Sequence, residues 1–180
     1  MTDAQLTRSA IPTLALIGNP NTGKTTLFNA LTGLSQQVGN YPGVTVERKI
    51  GVLQHAAGRR IDIVDLPGTY SLSAHSPDEA IAVDALINRQ RNLAPLDGIL
   101  CIVDATNIRR NFYLLSQLVE SELPIVVALN MVDIADSRAI RVDAEKLSQR
   151  LGLPVIPVCA HRRQGLDELR KALEDLVDAP

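Results

Sequence analysis

The chain has 180 residues, of which 46% are hydrophobic and 21% charged, and this composition is typical of about one globular domain. Eighteen basic and twenty acidic residues give a formal net charge of −2, so we expect no nucleic acid partner. Met1–Ala10 lacks the apolar core of a signal peptide, and no uncharged run approaches the ~20 residues that span a bilayer, so we expect a soluble chain. The two cysteines have no metal-ligand spacing, and we expect them to be reduced thiols in a reducing compartment.

Short apolar runs alternate with segments of helical period along the chain. In chain order they predict strand Thr13–Ile17, helix Lys24–Leu31, strand Lys49–Gln54, strand Ile61–Val64, helix Asp78–Arg89, strand Ile99–Val103, helix Ile108–Ser121, strand Ile125–Leu129, helix Ala144–Leu151, strand Val155–Val158 and helix Leu166–Val177. Lys49–Gln54 is expected to lie antiparallel at the sheet edge. The order predicts an α/β fold with a mostly parallel sheet of about six or seven strands, flanked by helices in three layers.

One helix start has a specific signature. Ser76-Pro77-Asp78-Glu79 combines a capping serine, a proline at the first helical position and a glutamate at the third. No internal repeat, linker or low-complexity tract separates the predicted elements. Residues 1–180 are therefore expected to form one domain, with its core at about 13–177.

A phosphate-binding loop follows the first predicted strand. Residues 18–25 fit the pattern G-x-x-x-x-G-K-[ST] between a strand and a helix, which is the context that this motif requires. Backbone N–H groups would wrap the phosphates, Lys24 would reach the β- and γ-phosphates, and the Thr25 hydroxyl would bind Mg²⁺. The predicted nucleotide-binding residues of this segment are Gly18, Asn19, Pro20, Asn21, Thr22, Gly23, Lys24, Thr25 and Thr26.

A second polar turn follows the strand at 61–64. Because ligands of open α/β sheets bind at the carboxyl ends of the strands, Asp65 is expected to hold Mg²⁺ through water near the same phosphates. Gly68 is expected to bring its backbone N–H against the γ-phosphate, where a side chain would obstruct the approach.

The strand at 125–129 ends in Asn130-Met131-Val132-Asp133, an N-x-x-D arrangement like the guanine-reading motif of GTPases. Asp133 can accept hydrogen bonds from guanine N1–H and the N2 amino group, which adenine lacks. The Met131 thioether can pack on the base. Cys159-Ala160 resembles the Ser-Ala element whose backbone contacts the guanine carbonyl, with a weaker hydrogen-bonding side chain than serine. The alternative for the N-x-x-D segment is a polar loop without a ligand.

The segments Val38–Glu47 (VGNYPGVTVE) and Asp65–Ser73 (DLPGTYSLS) resemble the switch segments of the FeoB family, which belongs to the TrmE-Era-Obg-like class of phosphate-loop GTPases. Val103–Asn107 and Ala128–Asp133 extend the resemblance. It implies a Ras-like G domain of a phosphate-loop NTPase, without the helical and membrane-spanning parts of that family.

The resemblance also implies roles for two residues. Thr45 would be the switch threonine that reaches Mg²⁺ and the γ-phosphate when GTP is bound. Asn21 matches an asparagine that is a ligand of a potassium ion beside the phosphates, although it is alternatively a residue that only shapes the loop. Thr69 stands where small regulatory GTPases carry a water-orienting glutamine, so that catalytic device is absent.

Together these features predict an enzyme that hydrolyses GTP to GDP and phosphate, with Lys24, Asn21, Thr45 and Gly68 as catalytic residues. By resemblance it would sit on the cytoplasmic face of the bacterial inner membrane and couple nucleotide state to ferrous iron uptake. The alternative function is a slow nucleotide switch of a ribosome- or RNA-associated assembly GTPase. His55, His75 and His161 lie in different predicted loops, so we do not expect this domain to bind Fe²⁺.

Overall fold

The computed structural model describes residues 11–33, 36–41, 46–73, 76–86 and 96–179. Within them lie seven strands: β1 (Thr13–Gly18), β2 (Gln36–Asn40), β3 (Glu47–Gln54), β4 (Arg60–Asp65), β5 (Gly98–Asp104), β6 (Ile125–Asn130) and β7 (Val155–Pro157). The helices are α1 (Lys24–Thr32), α2 (Pro77–Leu86), α3 (Ile108–Val119), α4 (Val132–Ser137), α5 (Ala144–Leu151) and α6 (Leu166–Asp178), and a 3₁₀ turn covers Ala160–Arg162. No helix in these ranges is long and apolar enough to span a bilayer.

The strands form one sheet in the order β2-β3-β4-β1-β5-β6-β7. β2, β3 and β4 pair antiparallel, and the pairs from β4 through β1, β5 and β6 to β7 are parallel. The predicted α/β class and mostly parallel sheet are confirmed. The prediction that Lys49–Gln54 lies at the edge is wrong, because β2 pairs along the outer side of β3.

Both faces of the sheet are covered, which explains the continuous apolar runs of its central strands. β1 sends Ala15 and Ile17 to one hydrophobic cluster and Leu14 and Leu16 to the other. The first cluster also contains residues of α2 and α3, and the second contains residues of α1 and α6. This arrangement is the predicted three-layer packing.

Several boundaries differ from the sequence prediction. β2 was not predicted because its residues are polar and mostly exposed, and α4 was not predicted because its six residues are too few to show a helical period. The predicted cap of α2 is confirmed, since Ser76 Oγ accepts a hydrogen bond of 3.2 Å from Glu79 N. The predicted continuation of α2 to Arg89 lies outside the described residues, and α3 ends at Val119 rather than Ser121.

Candidate nucleotide-binding site

The carboxyl ends of four strands meet at one edge of the sheet. β1 ends in Gly18, β4 in Asp65, β5 in Asp104 and β6 in Asn130. Strand register brings them together, since Leu16 pairs with Asp65 and Asp104 pairs with Asn130. The predicted phosphate and base motifs therefore lie side by side, as the rule for open α/β sheets requires.

The phosphate loop borders a cleft of about 370 Å³ whose lining residues are Asn19, Pro20, Asn21, Gly23, Lys24, Thr25, Thr26 and Gly68. Gly23 has a φ of 83° and precedes α1, and a β-carbon at this position would lie 2.5 Å from Asn130 Nδ2. The loop can approach β6 this closely because residue 23 has no side chain. Thr22 Oγ1 stabilises the turn by donating to Asn19 O at 2.8 Å.

Asn130 connects the phosphate loop to the base side of the site. Its Nδ2 donates to Thr22 O at 2.9 Å, its Oδ1 accepts from Ala160 N at 3.1 Å, and the residue is only 4% exposed. Both ends of the amide are therefore used to join the phosphate loop to the loop after β7. The structure assigns Asn130 a positioning role, and direct contact with the base stays a prediction.

Lys24 lines the cleft, and its side chain forms an ion pair with Asp65 at the end of β4. A phosphate group and a metal ion would each have to exchange with one member of this pair. Thr25 and Thr26 are exposed in the first turn of α1. Gly68 faces the phosphate loop, since a β-carbon there would lie 3.4 Å from Pro20 N and 3.5 Å from Gly18 O.

Asn19 and Asn21 occupy different environments within the loop. Asn21 is exposed and has a φ of 65°, a left-handed conformation in which asparagine is enriched. Asn19 is 2% exposed, and its Nδ2 donates to Arg110 O at 3.3 Å. Both asparagines line the cleft, but Asn21 is the exposed one, while Asn19 anchors the loop to α3.

The base side of the site is built around Asp133 in the first turn of α4. Within the described part of the chain, Asp133 Oδ1 is buried and has no hydrogen-bond partner. Its other oxygen lies 3.6 Å from both His161 Nε2 and Arg162 Nη2. Burial alone would raise the pKa of Asp133, but the Cys159 thiol, His161, Arg162 and a backbone N–H hold it below its ordinary value.

Met131 and Cys159 also belong to the base side of the site, which we call the base pocket. Met131 precedes α4 with a φ of 62°, and its methyl carbon would lie 3.6 Å from a β-carbon on Gly23. Cys159 is fully buried, and it exchanges backbone hydrogen bonds of 3.0 and 3.2 Å with Gln164. Burial raises the pKa of the Cys159 thiol, and the nearby Asp133 carboxylate adds to the rise.

The structure shows contacts of Tyr41 and Thr69 around the site that the sequence did not predict. Tyr41 is buried and its hydroxyl donates to Asp65 O at 3.2 Å. Thr69 is also buried; its N–H donates to Gly18 O at 3.2 Å and its hydroxyl to Ser71 O at 2.6 Å. In the sequence, the signal for these contacts is an aromatic or β-branched residue within a polar turn, and that signal is weak. The predicted switch residue Thr45 lies outside the described residues.

His161 is the largest departure from the sequence interpretation. It was expected to be an isolated loop histidine, yet its Nδ1 lies 3.4 Å from Cys159 Sγ. The spacing Cys-x-His was visible in the sequence, but its partner Asp133 lies 28 residues away and joins it through the pairing of β6 with β7.

Comparison with known proteins identifies the family. Residues 12–173 match the family model described as ferrous iron transport protein B. The Fe(2+) transporters FeoB of Salmonella typhimurium and Escherichia coli K12 are each 48% identical to the chain over 166 residues, which are 90% of the chain and 21% of each relative. The chain therefore spans about one fifth of the length of these curated relatives.

Solved structures show the same fold. The cytosolic domain of Legionella pneumophila FeoB is 49% identical with a TM-score of 0.85, and the match covers 91% of this chain and 63% of that one. The G domain of Thermotoga maritima FeoB is 38% identical with a TM-score of 0.84, covering 94% and 100%. The NFeoB of S. thermophilus was solved as a mutant bound to GDP. It is 44% identical with a TM-score of 0.83, and the match covers 92% of this chain and 63% of that one.

Proposed function

Because this chain belongs to the FeoB family of ferrous iron transport proteins, we propose that it binds guanine nucleotide and hydrolyses GTP to GDP and phosphate. The observation that carries the proposal is the bridge made by Asn130, whose amide joins the phosphate loop at Thr22 to the base-side loop at Ala160. A single buried side chain thereby sets the spacing between a phosphate cradle and a base pocket. Such spacing suits a ligand that has both a phosphate chain and a base.

Base selection is assigned to Asp133. Its Oδ1 is a buried acceptor without a donor among the described residues, and guanine N1–H and the N2 amino group would supply donors. The pKa of Asp133 lies below its ordinary value despite burial, which is consistent with an ionised acceptor at neutral pH. Adenine has neither donor, so it would leave the acceptor unpaired.

Phosphate binding is assigned to the loop and the start of α1. The backbone N–H groups around Gly23 and the helix N-terminus favour negative charge, and the Lys24 ammonium would move from Asp65 to the phosphates. Thr25 lines the cleft and Asp65 pairs with Lys24, which also lines it. Both residues offer the oxygen ligands that Mg²⁺ prefers, and with Thr45 they would hold the ion. Magnesium would neutralise charge on the β- and γ-phosphate oxygens.

A group other than a glutamine after Gly68 must orient the attacking water or stabilise the charge that develops on the phosphates. Thr69 occupies that position, and its hydroxyl donates to Ser71 O and contacts Glu79 Oε1 at 3.2 Å, away from the cleft. Asn21, exposed at the cleft, is the residue proposed to bind a potassium ion, which would add positive charge beside the phosphates.

GTP hydrolysis would move the two switch segments, which contain Tyr41 and Gly68 respectively. Tyr41 already joins the two segments, since its hydroxyl donates to the carbonyl of Asp65. Since the chain spans 21% of its curated relatives, we propose that the remaining helical and membrane-spanning parts receive this signal. The domain would then lie on the cytoplasmic face of the inner membrane and regulate ferrous iron uptake.

The proposal is tested by measuring phosphate release from GTP and ATP with Mg²⁺, in matched potassium and sodium buffers. We expect release from GTP alone, with stimulation of about tenfold or more by potassium. Lys24→Ala should abolish activity in both salts because no other side-chain cation of the described residues lines the cleft. Asn21→Ala should remove the stimulation by potassium and leave a slow basal rate.

Asn29→Ala is the matched control for Asn21→Ala, because Asn29 is an exposed asparagine of α1 that does not line the cleft. It should respond to potassium like the wild type. Equal hydrolysis of ATP would contradict the base assignment. Equal rates in both salts for the wild type and Asn21→Ala would contradict the potassium assignment while leaving nucleotide binding intact.

A further inference from the structure

The base pocket holds three side chains with metal-binding atoms, which we call the triad: Asp133, Cys159 and His161. One ligand atom from each residue lies within 4.8 Å of the others. His161 Nε2 is 3.6 Å from Asp133 Oδ2 and 4.0 Å from Cys159 Sγ. Guanine recognition by Asp133 requires neither the Cys159 thiol nor the His161 ring.

These distances are close to those within a metal coordination sphere. In a tetrahedral zinc site with Zn–S near 2.3 Å and Zn–N or Zn–O near 2.1 Å, neighbouring ligand atoms are roughly 3.4–3.6 Å apart. The two distances that involve His161 therefore need contractions of a few tenths of an ångström, and the distance from Asp133 to Cys159 lies within 4.8 Å. His161 is 56% exposed at its side chain, so its ring is free to make that adjustment.

The chemistry of the donors selects the class of ion. A thiolate and an imidazole with one carboxylate suit a borderline-soft divalent cation such as Zn²⁺, whereas Mg²⁺ prefers oxygen ligands. Arg162 is the competing cation, with Nη2 at 3.6 Å from Asp133 Oδ2, but its side chain is 59% exposed and can swing into water. The other cysteine, Cys101, lies buried in β5 and cannot contribute.

We propose that the triad binds one Zn²⁺-type cation when no guanine base occupies the pocket, and that the cation and the base compete for Asp133. Cation binding releases the Cys159 proton to solvent, forms bonds to sulfur, nitrogen and oxygen, and leaves a fourth position for water. No oxidation or reduction is involved. The metal site stands independently of GTP hydrolysis, whereas the competition rests on the proposed recognition of guanine by Asp133.

The test uses Co²⁺ as a spectroscopic probe on the nucleotide-free 180-residue chain. We expect one Co²⁺ per chain with a thiolate-to-cobalt absorption band, and displacement of Co²⁺ by Zn²⁺. Cys159→Ser should abolish the band, and His161→Gln should weaken Co²⁺ affinity by about tenfold or more. His55→Gln is the matched control, because His55 also faces a carboxylate, Asp178, but no thiol lies beside it in the described structure.

A second arm tests the competition. Saturating Mg²⁺-GDP should remove the thiolate band from the wild type, whereas Mg²⁺-ADP, with the same phosphates and a different base, should leave it. Absence of the band, or an unchanged band in Cys159→Ser, would overturn the metal site. A band that persists with bound GDP would overturn the competition, and failure of GDP to bind at all would instead contradict the proposed function.

Cys159 is buried, so loss of the band in Cys159→Ser is interpreted together with its urea unfolding midpoint. His161→Gln guards against a folding artefact because His161 is exposed and its replacement should leave the midpoint unchanged. A His161→Gln variant that folds normally and retains full Co²⁺ affinity would also overturn the site.

Discussion

At the scale of single residues, the site depends on a buried amide, that of Asn130, whose nitrogen and oxygen both form hydrogen bonds. Asn130 is predictable as a motif residue from its spacing to Asp133, but its two hydrogen bonds reach residues 22 and 160, which are distant in sequence. Asp133 is the contrasting case, because one of its oxygens is buried without a donor in the described structure. Asn130 positions the two loops, and the unsatisfied Asp133 oxygen is the acceptor that we propose selects the base.

The assignment of Asp133 predicts a change of base preference. Asp133→Asn should weaken GDP binding by about a hundredfold or more, because the amide presents a donor where guanine also presents donors. Binding of xanthosine diphosphate should improve in the same variant, since xanthine carries a carbonyl at position 2. The ratio of the two dissociation constants, measured by calorimetry, is the readout.

Asp136→Asn is the control for this prediction, since Asp136 is an exposed aspartate on the same helix. It should bind GDP like the wild type. An unchanged preference for GDP over xanthosine diphosphate in Asp133→Asn would refute the assignment of base recognition to Asp133.

At the scale of elements, the site is held in place by the seating of α1 on the sheet. The last turn of α1 packs over β3 at Gly51, where Thr32 lies against the bare strand backbone. Thr32 is 6% exposed, and its hydroxyl donates to Phe28 O at 2.8 Å. Since the first turn of α1 carries Lys24, a shift at one end of the helix would be transmitted to the phosphate loop.

Gly51→Ala should therefore destabilise the protein. The added β-carbon would lie 2.4 Å from Thr32 Cγ2 and 2.7 Å from Thr32 Cβ, distances that require the helix and strand to separate. Overpacking of this kind costs about 1–3 kcal/mol, and a urea titration would measure the loss.

Gly39→Ala is the matched control in the neighbouring strand β2. A β-carbon there meets no atom within 4 Å, so the free energy of unfolding should stay within about 0.5 kcal/mol of the wild type. Equal stabilities for Gly51→Ala and Gly39→Ala would show that α1 does not seat tightly on β3.

At the scale of the whole molecule, the end of α6 is tied to the turn between β3 and β4. Asp178 accepts hydrogen bonds from Arg59, with which it forms an ion pair, and lies 3.1 Å from His55 Nε2. Ala56 N donates to Glu174 Oε1 at 2.9 Å. β3 and β4 lie between the two proposed switch segments, so this contact connects them to the last described helix.

The ion pair between Asp178 and Arg59 predicts a pH-dependent contribution to the stability of the fold. The hydrogen bond from Arg59 holds the pKa of Asp178 below its ordinary value, so the folded state favours the ionised carboxylate. The contribution of this ion pair to the free energy of unfolding is complete above about pH 3.9, the pKa of aspartate in the unfolded chain. It is lost as the pH falls through the lower pKa that Asp178 has in the folded state. Asp178→Asn should have a lower urea midpoint than the wild type at pH 7, and the difference should shrink below about pH 4.

Asp175→Asn, one turn earlier on α6, is the control and should show no such convergence, because no ion pair of Asp175 occurs among those in the described structure. A difference between Asp178→Asn and wild type that stays constant from pH 7 to pH 3 would show that the carboxylate charge is not the source of the stabilisation.

Much of the fold was predictable because its signals are local. The apolar runs of β1, β5 and β6 and the helix α5 appear within a residue or so of their predicted bounds, since strands buried on both faces need continuous hydrophobic residues. β2 and α4 were missed for the opposite reason. β2 is a polar, exposed edge strand held by pairing with β3, and α4 is too short for its periodicity to show.

The sequence by itself determined the alternation of strands and helices, the phosphate loop and the base motif, because each is written in residues that are close together along the chain. Tertiary structure decided which motifs meet. Asn130 lies 108 residues from Thr22 and 30 residues from Ala160, yet it bonds to both. His161 joins Cys159 and Asp133 through the pairing of β6 with β7. Such contacts depend on strand order and register, which are set by packing of the whole core and leave no local pattern.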